Sequence, residues 1–139
     1  MMLKSDLSEV DVKVINGILN AVAERGEGWR YPEDWRSITS GGRDKVCTNL
    51  HPDGSPACII GFIAVNQGLP TEQFSSARYD GLQWGASGAI KDAMIEAQSS
   101  QDRRESWGTA TRKFFKELSD LGVTPETLTR HGIDASRYM

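Results

Sequence analysis

One stretch constrains this chain more than any other: ACIIGFIAV, residues 57 to 65, has no polar face. A helix that is apolar all round must be enclosed by other elements. Gly68-Leu69-Pro70 follows and supplies a helix stop, with glycine able to close the last turn and proline unable to extend it. The turn-forming run His51-Pro52-Asp53-Gly54-Ser55 precedes it. The spacing predicts a buried central helix at roughly 58–67, around which the rest of the chain must wrap. Its entry has two readings. Ser55 can cap the helix with Pro56 as its first residue. Alternatively, Pro56 and Ala57 form a short edge strand opposite 46–48 and the helix begins near Cys58, the reading preferred here.

The wrapping elements are mostly helices. Over 8–25, Val14, Ile15, Ile18, Leu19 and Val22 recur at helical spacing, with Ser8 as N-cap and Asp11 three residues on as an acidic capping box. Gly17, inside that helix, costs up to about 1 kcal/mol relative to alanine and points to a close neighbour. Ala86, Ala89, Ile90, Ala93, Met94 and Ala97 form a second stripe over 86–99, after which QDRRES breaks the pattern. A third starts near Ser106 with Trp107, Ala110, Phe114, Leu118 and Leu121, and ends at Gly122. Thr124-Pro125-Glu126 opens a last short helix to about Arg130. A further short helix is expected at TEQFSSA, residues 71–77. KVCTNL, residues 45–50, suits a strand and would pair across the turn to make a small hairpin. The fold class is therefore mainly α with a small β-hairpin (α+β), about four main helices around the central one.

At 139 residues one globular domain is expected over 1–139, with a frayed tail after about 132. The chain is 38% hydrophobic and 25% charged, a composition that excludes intrinsic disorder. Its formal charge of -3 lacks the basic footprint of a general nucleic-acid binder. No apolar run approaches the roughly 18 residues of a membrane span. The N-terminus has no signal-peptide pattern, so a cytoplasmic protein is expected. Two cysteines and two histidines give no zinc spacing and imply no metal or cofactor.

Two constellations carry functional expectations. Cys58, at a helix start, could be a thiolate nucleophile with His51 across the turn as its base. Against this, cysteine is among the most buried residue types and its neighbours are apolar, so a packing role is expected and no catalytic residue is assigned. The second lies in the irregular segment 26–44. There Trp29, Arg30, Tyr31, Trp35, Arg36 and Arg43 interleave aromatics with arginines, the residue types that dominate interface hot spots. They are the candidate partner-binding residues, and the same rings could instead pin the segment to the body. Arg103-Arg104, with Lys91 and Arg112-Lys113, makes one modest basic patch, read as a solvated helix face.

The residues Pro56, Cys58, Ile59, Ile60 and Gly61, the exit Gly68-Leu69-Pro70, and the late Gln101-Asp102 with Trp107-Gly108 resemble a set of small uncharacterised proteins of actinobacteria and their phages. The resemblance spans most of 8–121 and implies a fold, with no assigned activity. It implies an accessory role in phage or host biology. The expected function is binding and modulation of a host macromolecule, most plainly a protein. The alternatives are a thiol-dependent hydrolase or transferase using Cys58 with His51, and sequestration of a small anionic ligand at the start of the central helix.

Overall fold

A computed structural model describes residues 7–31, 55–56, 58–70 and 84–139. Among these lie five helices: α1 (Glu9–Arg25), α2 (Ile59–Gln67), α3 (Gly88–Asp102), α4 (Trp107–Asp120) and α5 (Pro125–Arg130). The mainly α class is as expected. Among the described residues no strand occurs beyond a single bridge residue, Pro56, and the small hairpin is not supported. Residues 45–50 and Ala57, on which it was expected, lie outside the described residues, as does the short helix over 71–77.

The helices pack as two pairs. α1 lies mainly on α2 and α3 mainly on α4, and the pairs meet through α1 with α4 and α2 with α3. The α1–α2 contact is close because of Gly17. A Cβ there would stand 2.8 Å from Ile63 Cγ2 and 3.1 Å from Ile63 Cα. The Asn66 side chain secures the same crossing, donating to Gly17 O at 3.2 Å and to its own helix at Phe62 O at 2.8 Å.

α2 is the enclosed element. Ile59, Ile60, Phe62, Ile63 and Ala64 are all buried. Each of the larger side chains contributes roughly 2 kcal/mol by leaving water. Cys58 is the N-cap, so the reading that starts the helix near Cys58 is the observed one, and Gly68 closes it at φ 67.

Local capping follows the sequence closely. Ser8 Oγ accepts from Asp11 N at 3.1 Å and Ser8 N donates to Asp11 Oδ2 at 3.1 Å, completing the capping box. Asp11 is buried, and its other oxygen accepts from Ser87 N at 2.8 Å. One carboxylate thus joins the starts of α1 and α3. Ser106 and Thr124 cap α4 and α5 through their hydroxyls.

Three boundaries differ from expectation. α3 runs to Asp102 because the buried side of its last turn is Gln98, Ser100 and Gln101, polar residues that an apolar stripe does not count. The stripe of α4 ends at Leu118, with Leu121 exposed beyond it and Phe115 buried within it. The tail expected to fray is seated instead: Ile133 and Ala135 are buried, and Tyr138 stacks on Phe115 with centroids 6.2 Å apart and planes at 13°.

Candidate functional site

The first candidate is Cys58. It takes an extended conformation (φ -97, ψ 176) immediately before α2, and its side chain makes no capping hydrogen bond. The residue is 0% exposed. The N–H of Ile59, the first donor of α2, is taken by Gln101 Oε1 at 2.9 Å. Gln101 and the flanking Ile59 and Ile60 are themselves buried. His51, the base that a nucleophilic thiol would need, lies outside the described residues, as does Cys47.

Beside Cys58 stands a residue the sequence did not single out. The Arg25 guanidinium sits over three rings at once: Trp29 at 4.2 Å, Phe62 at 4.7 Å and Trp107 at 4.8 Å from the centroids. Its Nη2 donates to Pro56 O at 2.9 Å. Burial lowers its pKa, opposed in smaller measure by electrostatic interaction with Cys58, Glu24 and Tyr31. The flat guanidinium both stacks and donates, so it locks the end of α1 to the start of α2 and the start of α4. The available signal was a basic residue in the last turn of a helix, four positions before a tryptophan.

The segment after α1 is a strap on α4. Trp107 N donates to Trp29 O at 2.8 Å and Gly108 N to Glu27 O at 2.8 Å. Two donors that every helix start leaves open are satisfied by this segment. Only glycine fits at 108, since a Cβ would lie 2.8 Å from Glu27 Cβ and 2.9 Å from Glu27 O. Trp29 meets Trp107 edge-on at 4.5 Å, and Trp107 meets Phe62 edge-on at 5.7 Å. The Trp107 indole N–H is buried and has no hydrogen-bond acceptor among the described residues, so this ring anchors by packing.

The candidate partner-binding residues divide accordingly. Tyr31 is 1% exposed and belongs to the core, and Trp29 is half-buried against it. Arg30 is exposed. Trp35, Arg36 and Arg43 lie outside the described residues. The pinning role that the sequence allowed for these rings is what Trp29 and Tyr31 perform.

Arg30 reaches a place 74 residues away in sequence. Its Nη1 donates to Arg104 O at 2.6 Å, in the turn between α3 and α4. Arg103 and Arg104 are exposed there. Glu105 gathers three side chains: Lys113 at 2.7 Å, Ser100 at 2.6 Å and Arg103 at 3.5 Å. The bond from Lys113, then that from Ser100, holds its carboxyl down at about 2. Arg112, from the same sequence patch, is drawn away to Glu27 at 3.0 Å, which also pairs with Arg137. The fold thus brings Arg30, Arg103, Arg104 and Lys113 together and sends Arg112 elsewhere.

Among the described residues no group of three or more His, Cys, Asp or Glu side chains could hold a metal ion. No described helix is long and apolar enough to cross a membrane. Comparison with protein-family models, with curated proteins and with solved structures finds no match.

Proposed function

We propose that this protein acts by binding another macromolecule, a protein, through outward-facing side chains. The observation that carries this reading is the contrast between two places. The Cys58 sulfur is shut inside the core beside a helix start already occupied by Gln101. The exposed cations of the strap and the α3–α4 turn stand together on the surface. A thiol-dependent hydrolase or transferase needs an open sulfur, and an anion at the start of α2 would find the first of its backbone donors already taken by Gln101. Trp35, Arg36 and Arg43, from the same arginine–aromatic segment as Arg30, complete the proposed contact set. The resemblance of the Pro56–Gly61 and Gln101–Gly108 motifs to small actinobacterial and phage proteins supports a narrower reading: a cytoplasmic accessory protein that modulates a host factor.

Affinity capture from the native host's lysate tests it, comparing the parent with Trp35→Ala, Arg36→Ala and Cys58→Ser. A retained protein that Trp35→Ala or Arg36→Ala releases, and Cys58→Ser keeps, is the expected result. Retention that depends on Cys58 and ignores Trp35 and Arg36 contradicts the reading.

A further inference from the structure

The strap after α1 is fixed to α4 by backbone bonds, Gly108 N to Glu27 O and Trp107 N to Trp29 O. Its Glu27 side chain meets a third element, the segment 133–139. Arg137 of that segment pairs with one Glu27 oxygen, and Arg112 of α4 donates to the other at 3.0 Å. Arg112 in turn lies over the Tyr138 ring, 5.8 Å from its centroid. Two side chains of one segment therefore converge on a single strap carboxylate, Arg137 directly and Tyr138 through Arg112.

The two elements are not equally firm. The strap buries the whole of Tyr31 and sets Trp29 against the core. The segment buries Ile133 and Ala135, while Asp134, Ser136, Arg137 and Met139 are exposed. A stretch with few buried apolar contacts opens before the core does. When it lifts, Glu27 loses Arg137 and Arg112 loses the ring beneath it. We propose that segment 133–139 is a latch on the strap: its release loosens the strap from α4, and Glu27 carries the coupling. The use of such a latch rests on the protein-binding reading above. From residue 32 the chain runs on into the stretch bearing Trp35, Arg36 and Arg43. A partner gripping those residues and the latch then bias one two-state element, the strap docked or undocked. Coupling of this kind is reciprocal: opening the latch changes the partner's grip, and the partner's grip changes the latch.

Amide hydrogen exchange of the intact chain, followed by NMR, tests it. The Trp107 and Gly108 amides donate to the strap and report its docking. The amides of Ile133 and Tyr138, donating to Leu128 O and Ala135 O at 2.9 Å each, report the latch. The Phe62 amide, donating to Cys58 O at 2.9 Å within α2, reports global opening. Arg137→Ala should speed exchange at Trp107 and Gly108 about threefold, within the range of one partly exposed ion pair, and leave Phe62 unchanged. Arg137→Lys, which keeps the charge, should stay closer to the parent. Arg30→Ala removes the strap's bond to Arg104 O, far from the latch, and should speed exchange at Ile133 and Tyr138. Unchanged exchange at Trp107 and Gly108 in Arg137→Ala overturns the proposal. So does a rise that Phe62 shares in full, since the segment would then only add to global stability. Latch amides indifferent to Arg30→Ala overturn it too, because coupling must run both ways. If lysate capture depends on Trp35 and Arg36 while the exchange results fail, the latch falls alone. If capture retains no protein, the protein-binding reading falls, and the coupling is decided by exchange.

Discussion

Gln101 Oε1 accepts the backbone N–H of Ile59 at 2.9 Å, so the last turn of α3 caps the first residue of α2 from a distance of 42 residues in sequence. The bond is buried, and Cys58 offers no side-chain cap in its place. Replacing Gln101 with leucine leaves that donor dry and unsatisfied. A loss of about 2 kcal/mol is expected. Urea denaturation should show a lower midpoint with an unchanged slope.

Gly17 and Gly28 provide a matched pair of substitutions. Alanine at 17 meets Ile63 at 2.8 Å, and one of the crowded atoms is backbone. Alanine at 28 meets nothing within 4 Å. Gly17→Ala should therefore destabilise by roughly 1–3 kcal/mol despite its better helix propensity. Gly28→Ala should be neutral or slightly stabilising. Thermal melts of the two variants check the contrast.

Much of this packing was legible locally. The Ser8–Asp11 box, the Gly17 contact, the Gly68 stop and the Thr124-Pro125 start are written in adjacent residues, and each does in the structure what its spacing indicates. The misses share a cause. Gln98, Ser100 and Gln101 are polar, so the stripe of α3 stopped short of them, yet all three are buried. Their burial depends on partners elsewhere, such as Ile59 N for Gln101 and Glu105 for Ser100. Arg25 was passed over for the same reason, since its three rings come from three separate segments. The tail's order rests on Phe115 and on an ion pair with Glu27 that no tail pattern announces. On the surface, Arg30 and Arg104 were each visible as cations, while their meeting is a property of the fold.

Arg25 should not tolerate replacement by lysine. A lysine ammonium keeps the charge but lacks the flat face that lies over Trp29 and Trp107 while donating to Pro56 O. Arg25→Ala should cost about 2 kcal/mol, through lost stacking and one lost hydrogen bond. Arg25→Lys should recover less than half of it. Chemical denaturation of the two variants beside the parent measures the difference.

Glu105 gives the stability a defined acid limb. Its folded carboxyl is depressed from 4.5 to about 2 by Lys113 and Ser100. A depressed carboxylate stabilises above its unfolded value, and that stabilisation fades as pH falls through the folded value. The parent should therefore exceed Glu105→Gln above about pH 4.5, with the gap closing toward pH 2. The gap should be modest, since the pair is only partly buried and is screened by solvent and salt. Melting temperatures of both proteins across that window are the check; a gap that widens as pH falls contradicts the assignment.

The working surface is placed on the cations because the sulfur at 58 is interior packing. Alkylation of the native chain in a Cys47→Ser background reads this directly, since all labelling is then at Cys58. Protection is expected, with a rate that follows global unfolding and rises steeply as denaturant is added. Rapid labelling of the folded protein at neutral pH, insensitive to low denaturant, would place a reactive thiol at the surface and contradict it.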